Sequence, residues 1–411
     1  MPAEPQTLVL RGGAIFDSEA RTFRASADLV CRDGRIAEIS TLAPVDAGAM
    51  VIDCTGTYLL PGLIDCHVHL TASGDPGELN NARNDSTAVR AWRAAQYAER
   101  TLRAGITTVR DLGATERLNI EMASSVESGL ISGPRILAAG LGVTMTGGHG
   151  HGFIAREADG PDDVRKAVRE QLRAGAGAIK LFASGGVMTP GVNPRSPSLT
   201  EEELRAGVEE AHKAFRVVAA HAQATDGIKN AIRAGVDSIE HGVWLDDEAI
   251  EMMCERGTYM VPTLTAPYLI ARGGLEAGIP KYMVDKSNQV LTDHFASYRR
   301  ALAAGVLVAM GTDQGTPLNR PGENAQEIIR MAAEGLSPAA AILAATRWAA
   351  TLLQIQDECG ELKAGLAADI LVLDADPLSD LNVLTNDDSI RAVVKSGRVV
   401  RGRAGEGKGT Q

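Results

Sequence analysis

The chain has 411 residues, 45% of them hydrophobic and 23% charged, a globular balance too apolar for disorder and long enough for more than one folded unit. Its 52 acidic residues outnumber 41 basic ones, and the formal charge of −11 argues against nucleic acid or an anionic membrane as partner. No apolar run approaches the roughly 18 residues of a bilayer span, and the start MPAEPQTLVLRGG lacks the basic segment and cleavage site of a leader. The five cysteines (Cys31, Cys54, Cys66, Cys254, Cys359) are odd in number and scattered, which suits a reducing cytoplasm better than a disulfide framework.

Near the N-terminus, LVCRDGRIAEI reads as a hairpin turning at Asp33-Gly34, and near the C-terminus AVVKSGRVVRG reads as another turning at Ser396-Gly397. Neither end has enough strands for its own core, so residues 1–60 and 358–411 are expected to join in one discontinuous β-sandwich domain, with a disordered tail beyond Gly402. Between them LLPGLIDCHVH opens a series in which helix-like stretches end in Gly and a β-branched strand follows. The series runs TLRAG/ITTVRD, LISG/PRILAAG, QLRAGAG/AIKLFAS, AIRAG/VDSIEH, CERG/TYMVPTL and ALAAG/VLVAMGTD. With RVVAAHA this makes eight strands alternating with helices, which predicts a (β/α)8 barrel over residues 61–357. An open doubly wound sheet would want a G-x-G-x-x-G turn after its first strand, and none is present.

On the first barrel strand, His67 and His69 lie two residues apart and face one side, so two imidazoles can hold one ion. Alone this is weak evidence. The C-terminal ends of later strands carry Lys180, His221, His241 and Asp313, and in a barrel those ends converge on one face. A lysine among them is costly unless its charge is paired or altered.

The motifs PGLIDCHVH, GITTVRDLG, GAIKLFASGG, AHA, SIEHG and GTD, in this order, resemble the amidohydrolase superfamily, and within it the imidazolonepropionase-like, Xaa-Pro dipeptidase branch. The resemblance spans nearly the whole chain. It implies two divalent ions, zinc in most relatives, at the barrel mouth. His67, His69 and Asp313 would bind one and His221 and His241 the other, with Lys180 carboxylated on its amine to bridge both. It further implies amide hydrolysis of a dipeptide or N-acyl amino acid by a metal-bridging hydroxide, with Asp313 as general base and then acid. Related substrates are an aryl amide such as a mycotoxin, a carbamate or urea, or an imidazolone. Lys180 speaks against the last, since imidazolonepropionases generally use one metal and lack the bridging lysine. A non-catalytic scaffold is the reading from another class, against which all six ligand positions are filled.

The loop Thr146-Gly147-Gly148-His149-Gly150-His151-Gly152 has glycines that let backbone approach a ligand, and no Lys or G-K-[ST] for a phosphate. His149 and His151 are expected to meet substrate there. Arg195 could fork onto a carboxylate, and Trp244 and Tyr268 could line the pocket. Many relatives carry Tyr where Trp244 stands, so a bulky, more apolar wall is expected. Asp111 is a candidate support for a ligand histidine. His212 and His294 are expected to be structural, and Cys66 to pack. The expected partner is a small molecule, in a protein that forms homo-oligomers.

Overall fold

The computed structural model describes residues 7–77 and 85–402. The C-terminal tail expected to be disordered lies outside them. An eight-stranded mixed sheet is drawn from both ends of the chain. Its N-terminal strands are β1 (Leu8–Asp17), β2 (Thr22–Arg32), β3 (Arg35–Ser40), β4 (Met50–Asp53) and β5 (Tyr58–Pro61). Two parallel sheets follow, β6 (Leu63–Val68), β7 (Ile106–Asp111) and β8 (Arg135–Ala138) in one, and β9 (Gly142–Thr144), β10 (Ala155–Glu157), β11 (Ile179–Phe182), β12 (Val218–Ala222), β13 (Ser238–His241) and β14 (Tyr259–Val261) in the other. The strands β15 (Ile370–Leu373), β16 (Ile390–Lys395) and β17 (Arg398–Gly402) return to the mixed sheet, where β15 pairs antiparallel with β5.

Both terminal hairpins turn where the sequence indicated. Asp33 and Gly34 have φ of 51° and 79°, and Ser396 and Gly397 have 46° and 73°, the paired positive values that match the twist of two antiparallel strands. The inward faces of this sheet bury Leu8, Leu10, Ile15, Leu29, Ile36, Ile370 and Val372.

In the parallel sheets, helices end on glycines in the left-handed region, including Gly175, Gly235, Gly257 and Gly305. A strand starts within four residues of the first three, which keeps strand ends aligned. The fourth precedes VLVAM, which makes an isolated bridge from Val308 to Met260 rather than a full ladder. Backbone bonds complete the ring: Met260 N–H donates to Leu307, and Cys66 N–H donates to Met310. On the other side Gly177 N–H donates to Ala138, joining the two parallel sheets into an α/β barrel.

The stretch LLPGLIDCHVH divides between the two structures. β5 belongs to the mixed sheet and β6 to the barrel, and Gly62 stands between them with its N–H on Asp369 O at 2.8 Å. A side chain there would meet Thr107 at 2.2 Å, so glycine is required by close approach.

Candidate metal centre

β6 ends at Val68, and the segment Thr312–Gln314 runs beside it. Asp313 N–H donates to His67 O and His69 N–H donates to Gln314 O, each at 2.8 Å. This register sets Asp313 Oδ1 at 3.4 Å from His67 Nε2 and 3.3 Å from His69 Nε2. These three residues offer ligand atoms within 4.8 Å of one another, a grouping fit for a cation. Asp65 pins the arrangement from below: it accepts from Thr312 Oγ1 at 2.7 Å and Asn324 Nδ2 at 2.8 Å, and burial pushes its carboxyl up to about 6.

The other strand ends close around this group. The His67 and His241 rings are 5.3 Å apart, His241 and His221 4.5 Å, and His221 and His149 4.5 Å. Each histidine is oriented through one nitrogen. His67 Nδ1 donates to Glu240 Oε2 at 2.8 Å and His69 Nδ1 to Gly113 O at 2.9 Å, while His221 Nε2 donates to Gly185 O at 2.9 Å and His241 Nδ1 bonds Thr263 Oγ1 at 2.6 Å. One nitrogen of each is thereby left for the cavity. Burial lowers His67, His221 and His241 well below the ordinary imidazole range, so all three are neutral donors of electron pairs. Burial also opposes charge on His69, but the Asp313 carboxylate outweighs it and raises His69. Burial acts upward on Asp313 as well, yet the adjacent His67 and His69 hold it well below the usual carboxylate range.

Lys180 lies on β11 with only 2% of its surface exposed, and its Nζ has no hydrogen-bond partner among the described residues. Burial pushes its pKa down to about 8. Gly142 makes room for it, since a side chain there would meet Phe182 at 2.5 Å and Lys180 Cγ at 3.1 Å. A buried amine facing four imidazoles and a carboxylate, with nothing of its own to bond, fits a centre completed by cations and an added acid group on the amine.

A cavity of about 300 Å³ opens on these residues. Its lining includes His149 and His151 from the glycine-rich loop, and apolar side chains such as Ile154, Val187, Val243, Ile270 and Val290. His151 Nδ1 donates to Gly148 O at 2.8 Å, and His149 Nδ1 is buried without a partner among the described residues. Burial, and then the charge of Lys180, lowers His149 to about 3.

Three expectations for the pocket meet different surroundings. Arg195, Trp244 and Tyr268 are absent from the cavity lining. The Arg195 guanidinium stacks 3.9 Å over the Trp244 ring, and both reach Asp293, Trp244 Nε1 at 2.6 Å and Arg195 at 3.4 Å. Arg195 is thus already matched to a carboxylate of the chain. Tyr268 lies under Arg330, 3.6 Å from ring centre to guanidinium, and accepts from Arg272 at 3.1 Å, on the side of its helix away from Ala266, Pro267 and Ile270. Asp111 reaches no histidine directly; it accepts from Leu70 and Gly113 N–H and so shapes the loop whose Gly113 carbonyl holds His69.

Two buried acids escaped the sequence reading. Glu240, fully buried, joins His67 to Arg110, whose Nη2 donates at 2.9 Å. Strand alternation would put Glu240 and His241 on opposite faces, but His241 has φ of 72° and swings inward as well. Asp65 is the second acid. His294 bonds Pro262 O at 2.7 Å, a structural role as expected, and also lines the cavity. His212 bonds Asp237 at 2.9 Å on the surface, and Cys66 is buried, both as expected.

Residues 58–400 match the model of the amidohydrolase family. An ochratoxinase from Aspergillus niger is 31% identical over 433 residues, covering 97% of this chain and 88% of that protein. Among solved structures, a Xaa-Pro dipeptidase with bound methionine in its active site is 31% identical with a TM-score of 0.87, covering 96% of this chain and 99% of the other. A prolidase complexed with N-methylphosphonate-L-proline is 34% identical with a TM-score of 0.89, covering 97% and 100%.

Proposed function

The chain belongs to the amidohydrolase family and is a metal-dependent hydrolase of amide bonds, and from that premise we propose that it cleaves a dipeptide or N-acyl amino acid with a large apolar group beside the scissile bond. The observation that carries the metal chemistry is the buried, unpartnered Lys180 amine among His67, His69, His221, His241 and Asp313. His67, His69 and Asp313 would hold one divalent cation and His221 and His241 a second, zinc in both places, with a carboxylated Lys180 between them. When bound, such ions polarise a carbonyl and make water a nucleophile near neutral pH. Asp313 accepts the proton of the attacking water on its carboxylate and returns it to the leaving nitrogen. His149 and His151 meet the substrate's carboxylate, and Ile154, Val187, Val243, Ile270 and Val290 take its apolar side chain.

A second reading is favoured by one feature of the cavity: among the described residues, Lys180 is the only Lys or Arg in its lining. A neutral aryl amide would need no more than that, and the ochratoxinase is among the relatives. A comparison of N-acyl amino acids as free acids and methyl esters separates the two. The first reading expects the acid to be cleaved roughly 10- to 150-fold better in kcat/KM, a gap that narrows in a His149→Ala, His151→Ala variant. Equal rates on wild type would move the assignment to the aryl amide. Metal analysis of wild type and Lys180→Ala, expected to lose most of one ion and most activity, tests the centre itself.

We place the working protein in a reducing, cytoplasmic setting, supported by five free cysteines of which Cys254 is exposed, and among the described residues no helix is long and apolar enough to cross a membrane. We further propose a homo-oligomer, whose contacts would cover exposed apolar side chains such as Trp92, Leu130 and Phe215. The pairing of β5 with β15 supports a division into a β unit of residues 1–60 and 358–411 and a barrel of residues 61–357.

A further inference from the structure

The wall of the cavity between Gly186 and Thr189 is held from outside by one helix, Lys281–Ala304. Tyr282 Oη donates to Met188 O at 3.1 Å, and Lys286 Nζ donates to Gly186 O at 3.2 Å and to Thr189 O at 2.6 Å. Tyr282 and Lys286 are four residues apart and share a helix face, so this face bonds three carbonyls within four residues of loop. The loop in turn touches the glycine-rich segment. Thr189 Oγ1 accepts from Gly150 N–H at 2.9 Å, and the His149 ring lies so close over Gly186 that a side chain there would meet His149 Nε2 at 2.5 Å. The sequence Lys286, Gly186–Thr189, His149 is therefore one chain of contacts, ending at the unpartnered His149 Nδ1 in the cavity.

We infer that Lys286 is a positioning residue for substrate recognition: by fixing the carbonyls of Gly186 and Thr189 it sets the place of the His149 ring. Lysine suits the task because one ammonium supplies several donors from a single point, and here two diverging carbonyls share it. Methionine has a similar reach and no donor, so Lys286→Met would free the loop without removing bulk. Arginine keeps donors on a longer stem and would restore part of the effect.

This inference rests on the reading that His149 meets the substrate, and a double-mutant cycle keeps the two apart. For the N-acyl amino acid cleaved best in the comparison of acids and esters, Lys286→Met should raise KM by roughly 10-fold with kcat and metal content nearly unchanged, the mark of lost substrate binding. Lys286→Arg should recover a part of that. In a His149→Ala background the same Lys286→Met change should have little further effect, because its route to the substrate has gone. If His149→Ala alone leaves KM unchanged, the role of His149 fails and this inference with it. If His149→Ala raises KM and Lys286→Met adds its full effect on top, His149 stands and the positioning role of Lys286 is overturned. A Lys286→Met variant that loses metal and melts several degrees lower would likewise overturn it in favour of general support of the fold.

Discussion

At the scale of single residues, the most consequential group is one that touches no cavity surface. Glu240 carries the countercharge for Arg110 and the acceptor for His67 Nδ1, and Ser238 Oγ donates to the same oxygen as Arg110, at 2.5 Å. Arg110 and Glu240 are both fully buried, so breaking the pair strands a charge inside the barrel. Glu240→Gln is expected to cost about 3–5 kcal/mol in a denaturant titration and to weaken metal affinity by roughly 10- to 100-fold through the loosened His67. Ser238→Ala should cost less on both counts, and a Glu240→Gln protein with unaltered midpoint and metal affinity would sink the idea. The gathering of His67, His69, Lys180, His221, His241 and Asp313 around one cavity was legible because period two on a strand and position at a strand's end are sequence properties. Glu240 was not, since alternation sets it on the face opposite His241, and only the left-handed backbone of His241, which no sequence pattern announces, brings both inward. The mates of Arg195 and Trp244 were hidden for another reason: Asp293 lies 49 residues beyond Trp244 and 98 beyond Arg195, and no local pattern links it to either.

At the scale of elements, helix ends and strand starts were the legible part, because Gly at C′ followed by β-branched residues has a local cause. VLVAM shows the limit: it occupies a strand's place while making an isolated bridge, a distinction set by neighbours rather than by its own sequence. Gly62 is where one run of apolar residues changes sheets. Gly62→Ala is expected to destabilise by about 1–3 kcal/mol, since its methyl would overlap Thr107, and Thr107→Ala should recover part of the loss. No recovery in the pair would locate the constraint elsewhere. The helix Thr265–Gly273 starts against a residue of another helix, Glu327, whose carboxylate accepts from Leu264 N–H at 2.7 Å and Thr265 N–H at 2.8 Å. Burial raises Glu327 from 4.5 to about 7. A folded-state pKa above the unfolded one favours the folded protein below pH 4.5, and that benefit is lost as pH rises through 7. Measured from pH 4 to 8, the stability of wild type relative to Glu327→Gln should therefore fall with rising pH, and a constant difference would remove the role of Glu327 titration.

At the scale of the whole molecule, the centre gathers neutral imidazoles, an unpartnered amine and a carboxylate at a cost that bound cations would offset. Zinc held only by the folded state adds stability by mass action, about 2.7 kcal/mol at one hundred times its dissociation constant. Treatment with a chelator should lower the melting temperature by a few degrees and zinc should restore it; a melting curve indifferent to both would mean that the folded chain holds no such ion.

The single strand path through Gly62 has a further meaning for how such a protein can change over time. From Pro61 to His67 is six residues, roughly 20 Å of extended chain, and it runs unbroken from the sheet shared by both termini to the first imidazole of the centre. At this junction there is no linker at which the terminal sheet could be parted from the barrel, as a bead on a string can be. A recombination break placed there would cut the strand that carries His67 and leads directly into His69. The terminal sheet and the barrel are therefore bound to be inherited together, and a redesign aimed at new substrates has its freedom in the loops over the cavity, far from that shared strand.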